Sequence, residues 1–123
     1  GKTIASYMGD WDLIKRHVEW LRGLPAYYRA GEYLFVHAGI YPGRPLEQQR
    51  REDLIWIRDR FLDYEPHHPF IVVHGHTPSE PWGVEWRHNR INVDSGAAWG
   101  GPLSCVVLGD DVGDVLQVWP ETI

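Results

Sequence analysis

Residues Phe70 to Pro78, FIVVHGHTP, form the most informative stretch of this sequence. The four leading apolar residues predict a short strand that is buried on both faces. His74, Gly75 and His76 follow at once; Gly75 allows a sharp turn and Pro78 prevents further ladder pairing. Imidazoles at the rim of a rigid sheet suit a transition-metal ion or proton transfer, but two solvated loop histidines would give the same pattern. This stretch alone leaves both interpretations open.

A second stretch repeats this design. In Glu32–Gly39, EYLFVHAG, an aromatic and β-branched run leads to His37, then to a small residue and a glycine. The run predicts the second strand of a hairpin whose turn is Ala30-Gly31-Glu32. Because loops at strand ends often form binding and catalytic sites, two strands that end in histidine favour a site at this edge.

The segment Asp53–Phe61, DLIWIRDRF, predicts a short helix capped by Asp53. Its buried side is predicted to contain four residues, which are Leu54, Trp56, Ile57 and Phe61. Arg58 has two interpretations from spacing alone. It is either a solvated arginine that pairs with Asp53 or Glu52, or a bidentate clamp for a phosphate group.

A third site-like stretch, INVDSGAAWGG, covers residues 91–101. A strand ends here in polar residues and continues as a loop of small residues, which lets the backbone approach a ligand closely. A tight crossover into Leu103–Leu108 explains the pattern as well. We expect Leu103–Leu108 to be a core strand that buries Cys105, the single cysteine.

Four motifs in the order FVHAG, DLIWIRDRF, VVHGHTP and INVDSGAAWGG give the chain a resemblance to a known family. From about Ala5 to Val118 it resembles the C-terminal half of a bacterial-type serine/threonine protein phosphatase. These enzymes form part of the phosphoprotein phosphatase family, within the calcineurin-like metallophosphoesterases. The resemblance implies an α/β fold, a sandwich of mixed β-sheets flanked by helices.

The resemblance also implies roles for individual residues. His37 and His76 would bind the same metal ion, one of two divalent ions, with Mn²⁺ expected and Fe, Zn or Mg as alternatives. A hydroxide held by the metals would attack the phosphorus, while Arg58 holds a phosphoryl oxygen. Arg60 and Arg51 are the alternatives to Arg58.

Four further residues are expected around this site. The glycine of VVHGHTP stands between the two histidines, so we assign His74 a supporting role and not a metal-binding one. Asn92 and Asp94 are expected in the shell around the site or at the pocket rim. The family often has an aromatic residue at the position of Trp99, more usually Tyr, so tryptophan puts any role of a phenolic hydroxyl in doubt.

The implied function is hydrolysis of phosphomonoesters on Ser/Thr phosphoproteins or small phosphoesters. One alternative is a dinucleoside polyphosphate hydrolase of the same superfamily. Another is a non-catalytic module that binds a partner through the helix face at Trp11 or the rim formed by Trp82 and Trp99. The family's N-terminal metal motifs are absent from residues 1–123. We therefore expect one domain that lacks that half, is inactive alone, and associates through exposed apolar surface.

Composition narrows the classes of partner. The chain has 123 residues, 43% of them hydrophobic, and a net charge of −5 without a block of Lys or Arg. These values predict a folded core and argue against a nucleic-acid or membrane surface. No signal peptide and no apolar run of about 20 residues is visible, so the cytoplasm is the default expectation.

Local patterns predict the remaining elements. Asp10 is expected to cap a helix whose apolar stripe, from Trp11 to Leu21, packs on a sheet. Val84–Arg87 and Arg90–Val93 predict a hairpin with a two-residue turn at His88-Asn89. His67 and His68 are expected at the surface. We interpret Gly109–Asp114 as a hairpin turn and not as a metal motif.

Overall fold

The computed structural model describes residues 2–109 and 113–121. Four α-helices lie in these ranges: α1 (Lys2–Ala5), α2 (Trp11–Gly23), α3 (Arg51–Trp56) and α4 (Asp59–Leu62). Short 3₁₀ turns cover Leu46–Gln48 and Ala97–Trp99. Seven strands are present in the same ranges: β1 (Tyr27–Ala30), β2 (Tyr33–Val36), β3 (Ile71–His74), β4 (Glu85–Trp86), β5 (Arg90–Asn92), β6 (Leu103–Val106) and β7 (Val115–Val118). None of the helices described is long and apolar enough to cross a membrane.

The main sheet has five strands in the order β1-β2-β3-β5-β4. The central strands β2, β3 and β5 are parallel, whereas β1 and β4 pair antiparallel at the edges. This mixed sheet with helices confirms the predicted α/β class. Because parallel strands end at the same edge, the segments after β2, β3 and β5 lie side by side. Two backbone bonds fix them there, from Gly75 N to His37 O at 2.9 Å and from Val93 N to His74 O at 2.8 Å.

The core lies between this sheet and the pair α3 and α4. It contains five buried residues, which are Leu34, Ile40, Leu54, Phe61 and Val72. A bond from Ala38 N to Leu54 O, 2.9 Å long, connects the end of β2 to α3. The helices therefore lie directly beside the loop that follows His37.

The predicted helix Asp53–Phe61 is instead two helices, α3 and α4, with a break at Ile57 and Arg58. Asp53 is not a cap: it lies in the first turn of α3 and accepts a 2.6 Å ion-pair bond from Arg44. Trp56 was predicted to be buried but is 69% exposed. Helical spacing identified the apolar residues, but it could not show that the chain turns after α3.

Helix α2 begins as predicted, since the Asp10 side chain accepts a bond from Leu13 N at 2.9 Å. The prediction that its apolar stripe packs on a sheet is wrong. No residue of α2 is buried; Trp11 is 63% and Leu21 52% exposed. Periodicity shows which side chains share a face, but not whether another element covers that face.

Strands β6 and β7 form a separate antiparallel pair. The prediction of a core strand at Leu103–Leu108 is wrong, because Leu103 is 67% exposed and Cys105 is an exposed free thiol. The predicted turn Gly109–Asp114 includes residues 110–112, which lie outside the described residues. Short two-stranded sheets cannot bury both faces by themselves, which explains the exposure.

The two predicted hairpins are confirmed, β1 with β2 and β4 with β5. His67 is exposed, as predicted, but His68 is half-buried. The His68 ring stacks on Phe61 and on Tyr64, with centroids 5.6 and 5.0 Å away, and burial lowers the pKa of His68. Two adjacent histidines therefore lie in different environments.

Candidate metal and phosphate site

His37 and His76 meet at the carboxyl edge of the sheet. Strands β2 and β3 are parallel neighbours, and each delivers one imidazole just beyond its end. His37 Nε2 lies 3.1 Å from His76 Nδ1, and the ring centroids are 4.9 Å apart. The predicted proximity of the two rings is confirmed, while their role as metal ligands stays a prediction.

The turn after β3 gives His76 an unusual backbone conformation. His76 has φ 69°, in the left-handed region that side-chain-bearing residues rarely adopt. Two backbone bonds define the turn around it, from Gly75 N to His37 O at 2.9 Å and from Thr77 N to Gly75 O at 2.8 Å. Such conformations cost about 1–3 kcal/mol and cluster at functional sites.

The surroundings favour a neutral His76. Burial lowers the pKa of His76, and electrostatic repulsion from Arg58 and His37 lowers it further, whereas Asp94 opposes the shift. A neutral imidazole has one ring nitrogen with a free lone pair, which is the form that binds metals. His76 Nε2 is covered and has no hydrogen-bond partner among the described groups. One ring nitrogen of His76 is therefore left without a hydrogen bond.

The two facing nitrogens fit one divalent ion. The two nitrogens lie 3.1 Å apart, and imidazole nitrogen is a common ligand of divalent transition-metal ions. Within residues 2–109 and 113–121, no group of three or more His, Cys, Asp or Glu could hold a metal. The pair therefore fits as part of a ligand set.

Arg58 lies beside this pair. It stands at the break between α3 and α4, its side chain is exposed, and its Nη1 donates to Thr77 Oγ1 at 3.0 Å. It does not pair with Asp53 or Glu52, as the solvated-helix interpretation required. Arg60 instead lies over the Tyr41 ring, 4.8 Å from its centroid, and Arg51 is exposed in the first turn of α3. Among these three arginines, Arg58 is the one bonded to the His76 turn.

His74 is 1% exposed and lies behind the site. Its Nδ1 is 3.1 Å from Gly75 O, and its Nε2 is 3.3 Å from Arg90 Nη1. Burial lowers the pKa of His74 to about 4, and the Arg90 charge contributes in the same direction. The neutral ring can therefore donate through Nδ1 to Gly75 O and accept at Nε2 from Arg90. Its predicted supporting role stays a prediction.

Two residues near the site were missed from the sequence. Arg90 is 2% exposed and bonds to Glu85 Oε2 at 2.7 Å. The predicted hairpin contained this signal, because it placed an acidic and a basic residue on neighbouring strands. Trp56 lies edge-on to His76, with centroids 5.5 Å apart. No sequence signal distinguished it from a core tryptophan.

Polar residues at the end of β5 and just after it face the same turn. Asn92 is 2% exposed and donates to Thr77 O at 2.8 Å. Asp94 lies beside Gly75: a Cβ added to Gly75 would be 3.4 Å from the Asp94 Cβ. The Asp94 Oδ1 accepts a hydrogen bond from Gly96 N at 3.1 Å. Asn92 is therefore bonded to the turn that holds His76 and Asp94 lies beside that turn, while the supporting role of both stays a prediction.

Trp99, expected at the pocket rim, stays a prediction in that role. It is 75% exposed, and in the described part of the chain no ring contact joins it to either histidine of the pair. Trp82 covers the small-residue loop instead, because a Cβ on Gly96 would lie 3.0 Å from its ring. The Trp82 ring therefore leaves little room for a side chain at Gly96.

Comparisons with known proteins give a structural match. No protein-family profile matches the chain, and no curated protein matches it. A solved structure described as a "putative diadenosine tetraphosphatase" superposes with a TM-score of 0.63 at 24% identity, over 82% of this chain and 54% of that chain. The chain thus spans about half the length of that structure. At this identity the likeness shows a shared fold, and it confirms the fold predicted from the sequence.

Proposed function

We propose that this chain contributes part of the active site of a metal-dependent phosphoester hydrolase. The proximity of His37 Nε2 and His76 Nδ1, 3.1 Å apart beside Arg58, is the observation that best supports it. Imidazole nitrogens and a guanidinium without a carboxylate partner are what a divalent ion and a phosphate group require. The remaining metal ligands would come from a part of the fold outside these residues.

In this proposal each side chain has one task. His37 and His76 bind a divalent ion, for which we expect Mn²⁺ with Fe, Zn or Mg as alternatives. Such ions, when bound, polarise the phosphoryl group and make water a nucleophile near neutral pH. Arg58 binds a phosphoryl oxygen, since guanidinium matches phosphate geometry and stays charged. His74, Asn92 and Asp94 hold the turn that orients His76.

Two substrate classes remain in competition. The sequence motifs favour Ser/Thr phosphoproteins or small phosphomonoesters. The structural match favours dinucleoside polyphosphates, because the matched protein is described as a diadenosine tetraphosphatase. Both reactions displace an oxygen leaving group at phosphorus, so the groups described above suit either. We further propose that the partners do not include nucleic acid or membrane, and that the protein works in the cytoplasm.

Metal binding and turnover test the proposal separately. Calorimetric titration of the protein with Mn²⁺ should show binding that His37→Ala and His76→Ala each weaken at least tenfold. His67→Ala removes an exposed histidine and should leave the affinity unchanged. Equal affinity in all four proteins would refute the metal site and favour the non-catalytic module.

Substrate preference is measured with the protein joined to the remainder of its fold. A phosphoserine peptide and a diadenosine tetraphosphate are compared by kcat/KM under Mn²⁺. Faster turnover of the peptide supports the phosphatase, and faster turnover of the dinucleotide supports the alternative. Turnover of neither by a metal-loaded protein would refute the hydrolase.

A further inference from the structure

A hydrogen bond to the hydroxyl group of Thr77 joins Arg58 to the histidine turn. Arg58 Nη1 donates to Thr77 Oγ1 at 3.0 Å, and no ion pair joins Arg58 to a carboxylate within the described ranges. A guanidinium has five N–H donors, so this bond leaves four for a ligand. Arg44 and Arg90, by contrast, each form an ion pair with a carboxylate, which takes up donors that Arg58 keeps for a ligand.

Thr77 itself is fixed from two sides. Its backbone N–H donates to Gly75 O at 2.8 Å, and its carbonyl oxygen accepts from Asn92 Nδ2 at 2.8 Å. Asn92 is buried in β5, and its Oδ1 accepts from Asp94 N at 3.0 Å. The hydroxyl of Thr77 is therefore attached to the central sheet, whereas Arg58 comes from the break between two helices.

A long, exposed arginine has many rotamers, and only some of them point at the two histidines. Ordering such a side chain costs free energy that must be supplied when a ligand binds, unless the protein has already ordered it. The bond from Arg58 to Thr77 orders it before any ligand arrives. The hydroxyl oxygen accepts in this bond, so its own proton stays free to donate to an anion.

We propose that Thr77 is a positioning residue that holds Arg58 in the orientation in which it binds a phosphate group. Asn92 acts one step further away, by fixing the backbone of Thr77. This inference rests on the proposed role of Arg58 in the hydrolase. It adds a residue that the chemistry of the site did not require, and it explains why a hydroxyl-bearing residue follows His76.

The test is a titration of the ¹⁵N-arginine-labelled protein with inorganic phosphate, without added metal, observed through the Arg58 guanidinium signals. These signals are assigned by their loss in Arg58→Lys. Thr77→Val keeps the shape of the side chain and removes the acceptor, so we expect the Kd for phosphate to rise about two- to tenfold. Guanidinium rotation of Arg58, measured without phosphate, should become faster in the same variant.

Thr77→Ser restores the hydroxyl group and should return both readouts to within about twofold of the parent protein. Thr3→Val removes an exposed threonine on α1 and should change neither. A purely structural effect of Thr77→Val would lower the melting temperature without changing guanidinium rotation, and that result would overturn the inference. Equal phosphate affinity in Thr77→Val and the parent would overturn it too, while leaving the role of Arg58 intact. Phosphate that does not shift Arg58 in the parent protein would instead refute the proposed role of Arg58.

Discussion

Replacing Gly39 with alanine should destabilise the protein through one identifiable contact. Gly39 follows His37 and Ala38 and has φ 150°, a conformation that side-chain-bearing residues rarely adopt. A Cβ at this position would enter the ring of Phe61, which is fully buried in the core. Neither the ring nor the backbone can move without disturbing close packing.

The two costs can be estimated separately. The disfavoured backbone conformation costs about 1–3 kcal/mol, and overpacking a core position costs about 1–3 kcal/mol more. Gly39→Ala should therefore lower the free energy of unfolding by about 2–6 kcal/mol. For a chain of 123 residues, each 1 kcal/mol lowers Tm by about 4 °C. A loss of this size is a large part of the stability of a small domain.

Gly43 provides the matched control. It has φ 74° and nothing within 4 Å of an added Cβ, so Gly43→Ala carries the backbone cost alone, about 1–2 kcal/mol. Urea unfolding followed by circular dichroism gives the midpoints of both variants. The double variant Gly39→Ala/Phe61→Leu should lose less stability than the sum of its single changes. Equal destabilisation by Gly39→Ala and Gly43→Ala would refute the contact with Phe61.

Three other predictions concern the site and the exposed strand. The pKa of His74 is 6.5 in the unfolded state and about 4 in the folded state, so on acidification the unfolded state binds the proton first. The free energy of unfolding should therefore fall by about 3 kcal/mol between pH 6.5 and 4. His74→Asn should make the fall in unfolding free energy across this window less steep, since His68 and His76, whose pKa values are also lowered, still contribute; an unchanged slope would contradict the assignment. Cys105 is exposed, so it should react with an alkylating agent in the folded state as fast as in urea; slow labelling would show a covered strand. Residues 1–123 alone, with excess Mn²⁺, should not hydrolyse a chromogenic phosphomonoester, because within the described residues no third ligand joins His37 and His76; turnover abolished by His76→Ala would overturn this.

Local patterns were sufficient for the elements that are bounded by strong turn signals. The strand before His74, the strand before His37 and both hairpins were predicted, because alternation, glycine and proline act within a few residues of their own position. The meeting of His37 and His76 also followed, since parallel strands end at the same sheet edge. The fold class needed only these elements in order, together with the resemblance of the motifs.

Tertiary contacts were responsible for the rest. Arg90 and His74 are both buried and lie 3.3 Å apart through Nη1 and Nε2, although 16 positions separate them along the chain, so neither local pattern contains this contact. The break at Arg58, the exposure of Trp56 beside His76 and the bond to Thr77 depend on how α3 and α4 dock on the sheet. The apolar faces of α2 and β6 were predicted to be buried but are exposed, and local patterns could not show this either. A sequence specifies which side chains share a face through local geometry, whereas burial depends on the packing free energy between residues that are distant along the chain.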